Sequence, residues 1–122
     1  MTSKKKRILL VEDDSALNDA FSILLNKEKY MVDSAYNGLE ALIKIQKHKP
    51  DLILLDLLMP VMDGKEFLKT FENIEKIPII IFSNLDSKSE VKEALDLGAT
   101  RYMLKAWASP KKLVRLVSDT LL

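Results

Sequence analysis

At 122 residues the chain suits one domain, residues 1–122, and is long enough to bury a core without disulfide or metal staples. Hydrophobic residues at 48% and charged residues at 30% describe a soluble globular protein; 19 Lys and Arg against 18 Asp and Glu leave a net charge of +1, which gives no pull toward nucleic acid or an anionic membrane. The absence of cysteine excludes disulfides, thiolate metal sites and a cysteine nucleophile, and fits a reducing, cytoplasmic compartment.

A flexible basic leader is expected over residues 1–5. The apolar run behind it, Ile8 to Val11, is too short for a signal-peptide core, and no stretch approaches the ~18 apolar residues of a membrane span. Ile8–Val11 reads instead as a first strand. Leu17, Phe21, Leu24 and Leu25 then fall on one face at helical spacing. Met31 to Ala35 fits a weaker strand. Leu39, Leu42, Ile43 and Gln46 predict a second helix with its apolar part toward a sheet. Leu52–Leu55 is again a continuous apolar run. Phe67, Leu68 and Phe71 predict a third helix. Ile79–Phe82 is the third strong apolar run, followed by a helix carrying Val91, Leu95 and Leu97. Arg101 to Leu104 fits a last strand, and Leu113, Leu116, Val117 and Leu121 a last helix.

Cap signals mark the helix starts. Asn37 precedes Glu40, Asp63 precedes Glu66 and Ser87 precedes Glu90, each at the capping-box spacing. Ser109-Pro110 places a cap before a first-turn proline, and Gly98 suits a helix end. Continuous apolar runs are what strands buried on both faces require. Strand and helix therefore alternate as (βα)₅, an α/β architecture with a doubly wound, parallel five-stranded sheet.

In such sheets, ligands bind outside the carboxyl ends of the strands. The first strand ends in Glu12-Asp13-Asp14, the third in Asp56, the fourth in Ser83-Asn84 and the fifth in Lys105. An ionised carboxylate behind four apolar residues is costly unless paired or metal-bound. Asp56 alone would read as easily as a turn cap, but acids gathered on one edge call for a cation. An all-oxygen set suits a hard ion such as Mg²⁺, held by Asp13 and Asp56 with Glu12 nearby. The set then reads as a phosphoryl-transfer site, with Asp56 as carboxylate nucleophile and Lys105 and the Ser83 hydroxyl facing the phosphoryl oxygens.

These pieces, in this order, resemble the response-regulator receiver family of flavodoxin-like, CheY-type fold. They are Ile8-Leu9-Leu10-Val11-Glu12-Asp13-Asp14, Pro50 to Asp56, Met59-Pro60-Val61-Met62-Asp63-Gly64, Ile79 to Ser83, and Gly98 to Lys105. The resemblance spans roughly Lys6 to Leu121. It implies strand order 2-1-3-4-5 and a phosphoacceptor at Asp56 that takes its phosphoryl group from a sensor histidine kinase or phosphotransfer protein. It implies Mg²⁺ held by Asp13 directly, Glu12 through water, Asp56, and the backbone carbonyl of Leu58. Ser83 and Tyr102 are then the switch pair, Lys105 the phosphoryl partner, and Asp14 a cap of the first helix. The switched surface is formed by the last two helices and the strand between them. That surface is open to a downstream target, an output domain outside this chain, or a homodimer, although Thr100 and Arg101 stand where dimerising relatives usually carry acids.

Three departures from the family pattern stand out. Ala106 replaces the usual proline after the lysine, so the Lys105–Ala106 bond either keeps a strained cis form, at about 2.5–4 kcal/mol, or turns trans and shifts Lys105. Trp107 replaces a phenylalanine. Asn84 replaces a small residue and is expected to narrow phosphoryl access. Leu58 and Leu85, two beyond Asp56 and Ser83, are apolar and cannot orient an attacking water, which predicts slow self-dephosphorylation. The competing reading is a phosphorylation-independent interaction module on the same fold, supported by Ala106 and Asn84 and opposed by the intact acid and lysine set. A flavin or nucleotide-binding protein of the same fold is disfavoured, because no glycine-rich loop follows the first strand.

Overall fold

The computed structural model describes residues 5–122, so all of the expected leader except Lys5 lies outside the described residues. The elements run β1 Arg7–Val11, α1 Ser15–Lys27, β2 Met31–Ala35, α2 Gly38–Lys47, β3 Leu52–Leu55, α3 Gly64–Thr70, β4 Ile79–Ser83, α4 Lys88–Asp96, β5 Arg101–Leu104 and α5 Pro110–Leu121. All strand pairs are parallel, and the sheet order is β2-β1-β3-β4-β5. This is the expected fold and strand order.

The continuous apolar runs are explained by a helix layer on each face. Leu9, Val11, Ile53, Leu55, Ile79 and Ile81 pack with Ala41, Phe67 and Ala94 on one side. The alternate residues Ile8, Leu10, Leu52, Leu54, Ile80 and Phe82 pack with Leu25, Leu113 and Val117 on the other. Each such buried side chain is worth roughly 1.5–3 kcal/mol against leaving it in water.

The helix starts follow the cap signals. Side chains of Asp14, Asn37, Asp63, Ser87 and Ser109 each accept a backbone N–H from the first turn. Each cap contributes about 1 kcal/mol. Gly98, at φ +115°, sits just past α4 in a conformation that other residues reach only with strain.

The face of α2 differs from the sequence expectation. Gly38 and Ala41 are buried, and Leu42 and Ile45 pack on the core. Leu39 and Ile43 are 47% and 49% exposed. The cause is close approach: a Cβ on Gly38 would stand 2.7 Å from Met62 Cγ. A residue without a side chain fits that contact, and the helix is rotated so that Ala41, Leu42 and Ile45 meet the core while Leu39 and Ile43 turn outward. On α4 the fully buried residue is likewise Ala94, while Leu95 is partly exposed. Helix α3 stops at Thr70, and Phe71 is its C-cap, stacked on Phe67. Among the described residues, no helix is long and apolar enough to cross a membrane.

Candidate functional site

The site lies at the carboxyl ends of β1, β3, β4 and β5. The parallel register aligns Val11 with Leu55, so the residues that follow, Glu12 and Asp56, leave the sheet side by side. Asp56 N still donates to Val11 O at 3.0 Å, and Glu12 N to Ala35 O at 3.0 Å, which anchors both backbones. Glu12, Asp56 and Ser83 are buried, and Asp13 is exposed at the mouth. One carboxylate oxygen from each of Glu12, Asp13 and Asp56 lies within 4.8 Å of the others.

Lys105 Nζ reaches into this cluster, 2.6 Å from Glu12 Oε1 and 3.2 Å from Asp56 Oδ2. It also stands 5.8 Å from the centre of the Phe82 ring. Among the described residues no peptide bond is cis. Of the two expected outcomes at Lys105–Ala106, the trans bond is the one present, yet Lys105 still reaches both carboxylates. Residues Lys105–Trp107 form a single 3₁₀ turn, and the long lysine stem spans the remaining distance. Trp107 is 72% exposed.

Burial pushes the Glu12 carboxyl up to about 7; the Lys105 ammonium works against this, and the neighbouring Asp56 carboxylate adds to it. For Lys105, burial favours loss of the proton, but the Glu12 and Asp56 carboxylates outweigh it and hold the ammonium above its ordinary value. Three carboxylates against one ammonium leave the cluster short of positive charge. Oxygen donors without His or Cys are the chemistry of a hard divalent cation, so these residues fit Mg²⁺.

The remaining candidates divide by position. Leu58 is 60% exposed at the pocket mouth, and its N–H points to Asp56 Oδ1 at 3.4 Å. Asn84 is exposed. Leu85 turns its side chain onto the core, while its N–H donates to Ser83 Oγ at 3.2 Å. Tyr102 is half-buried and donates its hydroxyl to Leu85 O at 2.6 Å. Burial pushes the Tyr102 phenol above its ordinary pKa. Asp14 caps α1, as expected, and its N–H donates to Glu12 Oε2 at 3.2 Å.

Three features were not anticipated. Asn18 is fully buried on the inner face of α1. The available signal was its position seven residues before Leu25, on the same helical stripe. Val61 holds φ at 68°, a left-handed conformation that is unusual for a β-branched residue. Gly64 is jammed against the strand end: a Cβ there would lie 2.5 Å from the Asp56 carbonyl oxygen.

The comparisons agree with this geometry. The family model described as response regulator receiver domain matches residues 8–118. Response regulator MprA of Mycobacterium avium (strain 104) is 36% identical over 111 residues, which cover 90% of this chain and 49% of that protein. The chain thus spans about half the length of the curated relatives it matches. A CheY-like response regulator receiver domain protein from Methanospirillum hungatei JF-1 superposes with a TM-score of 0.90 at 30% identity, covering 97% of this chain and 94% of that one. Chemotaxis protein CheY4 of Vibrio cholerae superposes with a TM-score of 0.87 at 30% identity, covering 95% and 98%. With the match running from β1 into α5, and fold, site edge and relatives in accord, the chain belongs to the response regulator receiver domain family, a signalling module of two-component systems.

Proposed function

We propose that this domain accepts a phosphoryl group on Asp56 from the phosphohistidine of a sensor histidine kinase or phosphotransfer protein. The observation that carries the reading is the buried Asp56 carboxylate sharing one ammonium, Lys105, with Glu12 on the ligand-binding edge of the sheet. In the transfer, an Asp56 carboxylate oxygen forms a bond to phosphorus, giving an acyl phosphate, as the P–N bond of the donor breaks; the electron pair goes to that nitrogen, and a proton already held on the other ring nitrogen makes the leaving group a neutral imidazole. Lys105 neutralises charge on the phosphoryl oxygens, and the Ser83 hydroxyl donates to one of them. Asp13 and Asp56, the Leu58 carbonyl, and Glu12 through water would hold Mg²⁺, which supplies further charge neutralisation there.

The switch follows from a hydrogen-bond chain. Ser83 Oγ accepts from Leu85 N, and Leu85 O accepts from Tyr102 OH. A Ser83 hydroxyl drawn to the phosphoryl group gives up Leu85, and the β4–α4 turn then resets its hold on Tyr102. The α4–β5–α5 face changes as a result. A downstream target, a second copy or an output domain would read that face.

The test is intact mass after incubation with Mg²⁺ and acetyl phosphate. A single phosphoryl adduct is expected, absent with EDTA and absent in Asp56→Asn. No adduct in the wild-type protein, or one that persists in Asp56→Asn, would favour the phosphorylation-independent module.

A further inference from the structure

Asn18 is a polar residue with no exposure, on the helix that also carries Phe21 and Leu25 toward the core. Burying an amide is costly unless every polar atom is paired, and here each is. Nδ2 donates to the Glu12 carbonyl at 3.0 Å and lies 3.5 Å from the Ala35 carbonyl. Oδ1 accepts from Ser34 Oγ at 2.6 Å and from Ser22 Oγ at 3.3 Å. The two hydroxyls stand 3.2 Å apart, so α1 and β2 are joined through the same group.

The location of this network matters more than its satisfaction. The β1–β2 register ends at Val11 and Ala35. Glu12 N makes one further bond, to Ala35 O, and the Glu12 carbonyl lies beyond the ladder. Asn18 takes that carbonyl. Its amide therefore fixes the peptide plane joining Glu12 to Asp13, the two acids that enter the pocket from β1. Both sides of Asn18 are held: Ser34 locks the oxygen, which orients the nitrogen. A leucine would fill the same space with no such geometry.

We infer that Asn18, oriented by Ser34, is a positioning residue that aims the Glu12–Asp13 pair at the cation site. This rests on the proposed reading of that pocket as a Mg²⁺ site. Supporting groups of this kind hold ligands in place, and their loss typically weakens metal binding about 10–100-fold.

The experiment is a Mg²⁺ titration followed by backbone and side-chain amide NMR, at a temperature where each variant is fully folded. The Asn18 side-chain amide of the wild type should resist exchange and shift on adding Mg²⁺. Asn18→Leu should bind Mg²⁺ about tenfold more weakly, and Ser34→Ala should shift affinity in the same direction by less. Leu25→Ala, a buried change on the same helix, should lose stability without losing affinity; that contrast separates positioning from a purely structural role. If Asn18→Leu does not fold, Ser34→Ala against Leu25→Ala decides the matter. Wild-type protein that binds no Mg²⁺ overturns the metal-site reading itself. Wild-type protein that binds, with Asn18 or Ser34 variants that bind equally well, overturns this inference alone.

Discussion

Lys105 sits closer to Glu12 than to Asp56, at 2.6 Å against 3.2 Å. Its charge is therefore divided between two buried acids, and burial holds the Glu12 carboxyl at about 7 against an ordinary value of 4.5 even though the ammonium pulls it down. An acid raised in this way favours the fold while it is protonated. That contribution is complete below pH 4.5 and is lost as the pH climbs through about 7. A cation needs the ionised form. The metal-free domain should therefore lose stability across this window, while Mg²⁺ affinity gains about tenfold per pH unit below the Glu12 value. Thermal melts in EDTA, and calorimetric Mg²⁺ titrations in two buffers of different ionisation heat, check both halves. A flat affinity with no proton release would contradict the assignment.

The structure narrows the question of acyl-phosphate lifetime to one side chain. Leu85 packs onto the core, so Leu58 is the apolar residue standing at the mouth. An apolar group there can neither orient nor deprotonate a water. Leu58→Asn should speed loss of the phosphoryl group several-fold, read as decay of the adduct mass after the donor is removed. A decay rate unchanged or slower would sink the idea.

Much of this was legible in the sequence because strand ends are marked by abrupt changes in polarity. Ile8–Val11, Leu52–Leu55 and Ile79–Phe82 each stop at a polar residue, and those residues are the ones the sheet edge gathers. What could not be read was packing distance. Leu39 and Ile43 make as good a stripe as Ala41 and Ile45; only the contact of Gly38 with Met62 decides which faces inward. Asn18 lay on a visible helical stripe but was missed for a related reason. Its burial is tolerated because Ser22 and Ser34 come to it from a helix turn and a strand, a pairing that no local pattern announces. The trans bond at Lys105 was open for the same cause, since a flexible stem can absorb a change in backbone path.

Val61 carries strain that a substitution can release. Its φ of 68° is held by neighbours: Met62 N donates to Pro60 O, and Met62 O accepts from Gly38 N, both at 2.8 Å. A β-branched residue there costs about 1–3 kcal/mol, while glycine loses roughly 0.5–1 kcal/mol in extra chain entropy. Val61→Gly should thus stabilise the domain by about 1 kcal/mol, a rise of about 3–5 °C in Tm. Val61→Ala keeps a Cβ and should gain less. A melting temperature lowered by the glycine would show that the loop carries no such strain.

Tyr102 offers a change that separates the switch from the chemistry. Its hydroxyl bonds the Leu85 carbonyl at 2.6 Å and makes no hydrogen bond to Asp56, Glu12 or Lys105. Tyr102→Phe removes that bond and keeps the ring on the core, so stability should fall by about 1 kcal/mol. Amide exchange should quicken in the β4–α4 turn, residues 84–87, where the bond ties the chain down. The adduct at Asp56 should form at close to the wild-type rate, because Asp56, Glu12 and Lys105, the groups proposed to carry the transfer, make no hydrogen bond to the lost hydroxyl. Hydrogen exchange read beside adduct mass gives both answers from one sample. Unchanged exchange in that turn would mean the hydroxyl does not restrain it; a lost adduct would place Tyr102 in the transfer step itself.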